Sequence, residues 1–438
     1  MERILVRFEG EGSGTGELSW GQKDIWDAIR RLRSSLGIGG LVPLTPGTTV
    51  DDVAAKLGLL MSRHQALRTR LRFGPGDRVR QAVSRAGEVA LEVVEVAADD
   101  DPVQAGKALY TAYHDEEFDY EHEWPVRMAV LRHRGVLTHL VALVCHLATD
   151  GFGAHVLRAD LSNMDSGWVP PVTAMQPLEQ ARWQRGPAGR RHNDVALRYW
   201  EGVLRAISAR RFPDPKGWHE PRYLDVLFAS PALHLSALKV AERTGVGSTS
   251  VLLAAFAVAL ARVTGINPVV AQTMVGNRFR PGLAEAVSPL CHAGLCVMDV
   301  DGVPFEKVVG RAWRAQLNAC KHAYYDPDGM LDLVDRISTE RGERIERECF
   351  FNDRRSRYRQ EASADVDERD IHDARGRTTM RVVSPLDPEC EPFFLHINDV
   401  PDAVDIRLSV DTQRLAPPDV EAFLYGMERV AVEAALAG

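Results

Sequence analysis

Between Leu137 and Val144 the chain reads LTHLVALV, and it runs straight into Cys145-His146-Leu147-Ala148-Thr149-Asp150-Gly151. This junction restricts the fold more than any other stretch. Eight residues dense in branched apolar side chains fit a strand buried on both faces. An Asp-Gly pair four residues past the histidine fits a helix start. Aspartate caps the first N–H groups and glycine permits a tight backbone path. Ligands approach α/β folds at the carboxyl ends of strands, which is where His146 falls. Its proton affinity suits transfer near neutral pH. Backbone N–H groups at the helix start can face a developing oxyanion. A histidine at a strand end is also a common structural residue, so this segment alone leaves both readings open.

The rest of the chain alternates strands and helices. Strand candidates lie at Ile4–Phe8, Val79–Val83, Leu91–Val96 and Val126–His133. Helices are expected from about Gly21 to Ser34, Val50 to His64 and Val103 to Ala112. In the second of these, Val53, Leu57, Leu60 and Met61 recur at helical spacing. Residues 165–190 break the pattern. DSGWVPPVTAMQP is rich in proline and small residues, and a linker is expected over 171–190. Beyond it come a helix Asp194–Ala209, strands Tyr223–Phe228 and Leu233–Leu235, a helix Ser248–Thr264 and a strand Pro268–Met274. Later strands are expected at Glu348–Phe351, Thr379–Val383, Phe394–Asn398 and Val404–Val410, before a closing helix Asp419–Ala437. The expectation is two α/β halves, 1–170 and 191–438, each a sheet covered by helices.

Composition excludes several classes. The 438 residues carry a net charge of −8, which gives no global electrostatic reason to bind nucleic acid. The six cysteines form no CxxC pair, so neither a zinc site nor a disulfide scaffold is expected, and no metal. Reduced thiols point to the cytoplasm. The opening MERILVRFEGEGSGTG lacks a secretory apolar run, and Val251–Ala261 is too short to span a bilayer, so no membrane anchor is expected.

CHLATDG resembles the HHxxxDG motif of the condensation domains of nonribosomal peptide synthetases, with Cys145 in place of the first histidine. Further segments resemble that family in its order. LSWGQKDIW (18–26) looks like its opening SxAQxRxW-type motif, and RHQALRT (63–69) is close to RHExLRT. WPVR (124–127) resembles GPLxR, Arg198-Tyr199-Trp200 matches a YW helix, and VGNRFRP (275–281) resembles GRxxP. The resemblance covers nearly the whole chain.

It implies an α/β (α+β) fold of two chloramphenicol-acetyltransferase-like subdomains in a V-shaped arrangement, with an active-site tunnel between them. It implies that His146 orients and deprotonates an acceptor, and that Asp150 and Gly151 belong to the same site. Asp150 is expected to be mainly structural and to pair with Arg278, holding the halves in register, with Arg280 as the fallback because Asn277 interrupts the family pattern. Cys145 is expected to support the site from the core, since neighbouring strand residues face opposite ways. A nucleophilic thiolate and a zinc site with His155 are the lesser alternatives. Gly153 and Asn352 are candidates for lining the substrate tunnel.

The implied chemistry is amide formation, or ester formation, by acyl transfer from a carrier-protein thioester. The enzyme would act in trans on acyl or peptidyl carrier proteins and a small amine or alcohol acceptor. No cofactor of its own is expected; the carrier's phosphopantetheine arm would enter the tunnel. Two alternatives stand beside it: a non-catalytic module that binds carrier proteins and recruits partners, and a coenzyme-A-dependent acyltransferase. The arginine-rich stretch Arg341–Gln360 reads as a solvated face or as a docking patch for an acidic carrier.

Overall fold

The computed structural model describes residues 2–167, 169–215, 217, 219–356, 366–385 and 391–437. Contacts divide the chain into two compact units. The first holds residues 1–192 and 276–291, and the second holds 193–275 and 292–438.

In the first unit, five strands form a sheet in the order β1-β6-β7-β8-β3: β1 (Glu2–Glu9), β6 (Ala86–Val96), β7 (Val126–His133), β8 (Val136–Val144) and β3 (Ile38–Pro43). Only β6 and β7 run parallel; the other pairs are antiparallel. A small antiparallel sheet joins β2 (Gly14–Glu17), β5 (Val79–Val83) and β4 (Thr69–Phe73). Side-chain alternation splits the large sheet between two cores. Met128 and Val130 face a core with Val53, Leu57, Leu60 and Met61 of α2 (Val50–Arg63). Ala129, Leu131, Val141 and Leu143 face another, built with Trp26 and Ile29 of α1 (Trp20–Leu32) and Tyr113 of α3 (Pro102–Asp115). The helical spacing read in α2 is thus its core face.

The strand before His146 is less enclosed than its composition suggested. Val141 and Leu143 are fully buried, but Leu140, Ala142 and Val144 on the other side are only partly covered.

The stretch expected as a linker contains α5 (Pro177–Arg185) and the start of α6 (Pro187–Ala206), which crosses the boundary between units. Both helices begin on proline. At the first helical position its missing N–H costs nothing and its fixed φ is already helical. A similar signal corrects the strand expected at Leu233–Leu235, which lies in α7 (Pro231–Thr244). Ser230 caps that helix by accepting the Leu233 N–H, and Pro231 opens it. Strand β3 went unread because its Gly-Gly pair resembles a turn. A Cβ at Gly39 would land on the Ala142 carbonyl oxygen, so glycine there permits close pairing with β8.

The second unit has a seven-stranded sheet, β11-β10-β12-β14-β15-β9-β13. Its strands are β9 (Tyr223–Ser230), β10 (Val269–Val275), β11 (His292–Met298), β12 (Phe350–Asp353), β13 (Thr379–Pro385), β14 (Phe393–Asn398) and β15 (Val404–Asp411). Phe351, Leu395, Ile406 and Leu408 point into a core with α7, α8 (Ser248–Thr264), α9 (Phe305–His322) and α12 (Pro417–Leu436). On the opposite face, Val270 and Leu295 meet Trp200 of α6 and Leu333 and Ile337 of α10 (Pro327–Arg341). A short helix α11 (Glu368–Arg375) packs on α7. No single helix among the described residues is long and apolar enough to cross a membrane.

Candidate active site

Strand β8 ends at Val144, and five residues turn before Asp150 caps helix α4 (Gly151–Asp165). The turn is closed by the Ala148 N–H donating to the Cys145 carbonyl at 2.9 Å. His146 lies in it, half-buried. The expected strand, turn and helix are all present.

Asp150 is almost wholly buried, and each of its oxygens accepts two hydrogen bonds. Oδ1 takes the Gly153 N–H at 2.8 Å and Arg278 Nη2 at 2.7 Å. Oδ2 takes Arg278 Nη1 at 2.9 Å and the Leu290 N–H at 2.9 Å. Burial alone would raise the carboxyl pKa. The Arg278 charge and these hydrogen bonds more than offset it, leaving Asp150 below the usual carboxylate range. A carboxylate so occupied orients structure and has little capacity left for proton transfer.

Arg278, not Arg280, is the partner. It also donates to the carbonyls of Ala286 and Gly276 at 3.1 and 3.3 Å, and its guanidinium lies 5.3 Å from the Phe152 ring centre. Arg280 instead donates to Asn277 Oδ1. Asn277 has φ +56°, a left-handed position that asparagine tolerates, and its amide donates to the Leu290 carbonyl at 2.9 Å. It ties the two ends of the 276–291 segment together. Asp150 and Arg278 both belong to the first unit, so the pair fastens that segment within the unit.

Gly151 opens α4 with no neighbour within 4 Å of where a Cβ would stand, and it is exposed. A tight path is not what glycine supplies here; it leaves the helix start uncovered. Gly153 is the crowded one. A Cβ there would land on Thr149 Oγ1 and come within 3.4 Å of Arg278 Nη2. It packs inside the site's support.

Cys145 is 1% exposed, and burial pushes its thiol up to about 12. That suppresses the thiolate a nucleophile needs. His155 is exposed, and no cluster of metal-binding side chains occurs among the described residues. Cys291, unremarked in the sequence, lies against Asp150; burial and that carboxylate raise its pKa well above the ordinary thiol value.

Three other family-like segments brace the first unit. His64 Nε2 lies 2.7 Å from Asp160 Oδ2, and Arg63 Nε donates to the same oxygen at 3.0 Å. Arg68 donates to the carbonyls of Gly12, Ser84 and Glu11. Ser19 and Gln22 form a capping box at the start of α1, and Arg127 pairs with Glu123 at 2.7 Å. Asp160, the acid of the first group, sits ten residues past Asp150 and carries no motif to reveal it.

Asn352 lies in β12 of the second unit, with Nδ2 3.3 Å from His396 Nδ1 on the paired strand β14. Phe350, Phe394 and His396 stack along that face. Burial, with Arg354 and Arg407 nearby, lowers His396 to about 2, so its imidazole is neutral at working pH. No local motif marks His396 in the sequence. In the arginine-rich stretch, residues 357–360 lie outside the described residues, as does Cys390. Arg341 caps α6 by donating to the Leu204 and Ile207 carbonyls, Arg344 pairs with Glu348, and Arg355 with Asp353. These contacts all lie within the second unit.

The condensation-domain family matches residues 40–369. The chain belongs to that family. Condensation domains as a class are acyltransferases that form amide and ester bonds. One relative is phosphinothricin tripeptide synthetase PhsC of Streptomyces viridochromogenes, 27% identical over 298 residues, which are 63% of this chain and 27% of PhsC. The chain thus spans about a quarter of that relative's length. Among solved structures, a condensation domain that mediates chain release from the enacyloxin polyketide synthase matches 96% of this chain and 83% of its own, with TM-score 0.74 and 19% identity. The X-domain solved in complex with OxyB from teicoplanin biosynthesis matches all of this chain and 96% of its own, with TM-score 0.70 and 19% identity. These likenesses establish the chloramphenicol-acetyltransferase-like α/β fold.

Proposed function

We propose that this condensation-family protein transfers an acyl group from a carrier-protein thioester to an amine, or to a hydroxyl, in natural-product biosynthesis. The carrying observation is the contrast between two neighbours. Asp150 is consumed by four hydrogen bonds, while His146 sits half-buried on the turn that Asp150 holds still. A fixed turn presenting an imidazole is what general-base chemistry needs.

In this reading His146 takes the proton of the acceptor N–H or O–H as nitrogen or oxygen bonds to the thioester carbonyl carbon. The C–S bond then breaks, and the proton passes to the departing phosphopantetheine thiolate. The rest of the rate comes from holding donor and acceptor together. The chain supplies no cofactor in this scheme. The carrier is read as a separate protein, and the PhsC likeness supports a peptide-synthetase setting.

The test is a mass-spectrometric condensation assay with the protein and His146→Ala. Acyl groups loaded on carrier proteins from the same gene neighbourhood would be offered with amines and alcohols. Product that disappears in His146→Ala supports the proposal. Equal product from both proteins removes His146 from the chemistry. A second reading rests on Cys145 replacing the family's histidine and on the likeness to an X-domain solved in complex with OxyB. Tight carrier binding with no product from any pair would favour that recruitment role.

A further inference from the structure

The turn that carries His146 leans on the loop between α1 and β3. The Ser35 carbonyl oxygen accepts the His146 backbone N–H at 3.4 Å and lies 3.7 Å from Cys145 Sγ. The Ser35 hydroxyl accepts the Phe118 N–H at 3.2 Å and stands 3.0 Å from the Tyr120 hydroxyl. Ser35 is buried, and Tyr120 is fixed in turn. Its ring meets Trp26 edge-on at 5.2 Å, and its carbonyl accepts the Leu71 N–H at 2.7 Å.

Two features show that this contact is imposed on the chain. Arg33 and Leu36, either side of Ser35, have φ +48° and +49°. Left-handed conformations at such residues are strained and persist where the surroundings over-determine them. The second feature is a cavity of about 20 Å³ lined by Phe118, Tyr120, Cys145, Leu147 and Ala148 among others. It has room for little more than a water molecule. Packing against that side of the turn is therefore incomplete, and hydrogen bonds supplement it.

We infer that Ser35 and Tyr120 are positioning residues for His146. Their hydroxyl contact fixes the Ser35 carbonyl, which fixes the amide of the histidine. This rests on the reading of His146 as the acceptor's base.

The test uses Tyr120→Phe, Ser35→Ala, their double variant and Ser35→Thr in the full chain. The first readout is the NMR signal of the His146 ring in ¹³C-histidine-labelled protein, assigned by its loss in His146→Ala. That signal is expected to shift or broaden in Tyr120→Phe and Ser35→Ala, while the signals of His64 and His396 stay in place. The second readout is turnover. Each single variant should lose kcat roughly tenfold with KM unchanged, as small misplacements of a reacting group do. The double variant should lose no more than either single, and Ser35→Thr should restore the rate. An unmoved His146 signal, or losses that multiply in the double variant, would overturn the inference. If Ser35→Ala does not fold, the near-isosteric Tyr120→Phe decides by itself. The NMR result stands even if His146→Ala proves fully active, so failure of the proposed chemistry is separable from failure of the positioning pair.

Discussion

Arg278 and Asp150 meet through two parallel N–H···O hydrogen bonds of 2.9 and 2.7 Å, and the same carboxylate oxygens accept the Leu290 and Gly153 N–H groups. The pair therefore joins the start of α4 to both ends of the 276–291 segment. The Asp150 and Arg278 side chains are 2% and 13% exposed. Removing either partner strands a largely buried charge, at a cost of about 3–5 kcal/mol. Asp150→Ala and Arg278→Ala should each lower the urea midpoint accordingly. Arg278→Lys should recover only part, because an ammonium cannot make the two-pronged contact. Wild-type stability in these variants would show that the pair contributes nothing.

Acid should act through two groups at different pH. His396 is lowered to about 2 in the folded protein. The unfolded chain therefore binds the proton first. Its contribution is complete above the ordinary histidine pKa of about 6.5 and shrinks as pH falls below it. Asp150 is also lowered, so its contribution is complete above about 3.9, the ordinary aspartate value, and is lost below that. Urea unfolding at pH 7, 5.5, 4 and 3 should show the decline, and His396→Asn should flatten it between pH 7 and 4. Asp150→Asn should flatten the decline only below pH 4. Parallel slopes in wild type and His396→Asn would show that the histidine is not held neutral.

The contrast between Asp150 and His396 also shows what a sequence can carry. The strand, turn and helix around His146 were legible because each is local. A run of branched apolar residues, an aspartate cap and a glycine lie within fifteen positions. The Arg278 partnership was legible through family resemblance, although Asn277 obscured it. Asp160, Cys291, Ser35 and His396 were not. Each acquires its meaning from a residue far along the chain: Asp160 from His64, Cys291 from Asp150, Ser35 from His146, His396 from Asn352. The helices within the expected linker went unread for a different reason. Proline breaks a helix interior but opens a helix at its first position, and Pro177 and Pro187 are of the second kind.

Cys145 is expected to behave as a core side chain. Its thiol is pushed up to about 12 by burial, so almost none is thiolate at pH 8. Native protein treated with iodoacetamide at pH 8 should leave Cys145 unmodified by peptide mass spectrometry, and unfolding in urea should expose it. Cys145→Ala should keep any condensation activity within about threefold, since no step of the proposed chemistry routes through sulfur. Rapid alkylation of the native thiol, or abolished turnover in Cys145→Ala, would restore the nucleophile reading.

Gly151 and Gly153 stand two residues apart on α4 and should respond oppositely to alanine. Nothing approaches the Cβ position of Gly151, so Gly151→Ala should be neutral for folding or stabilising by up to about 1 kcal/mol. Any loss it causes would then be read in turnover, as a methyl group placed beside the histidine turn. Gly153→Ala meets Thr149 Oγ1, with Arg278 Nη2 and the Ser288 N–H close behind, and overpacking of this kind costs about 1–3 kcal/mol. The obstacle is a side chain rather than backbone, so it can be removed. Thr149→Ala alone should cost little, because the Thr149 hydroxyl makes only a 3.2 Å contact with the Asp150 carbonyl. The double variant should be more stable than Gly153→Ala alone, with a coupling of about 0.5–3 kcal/mol between the sites. Additive losses would mean that the crowding comes from the Arg278 side, and that Gly153 is required by the ion pair rather than by Thr149.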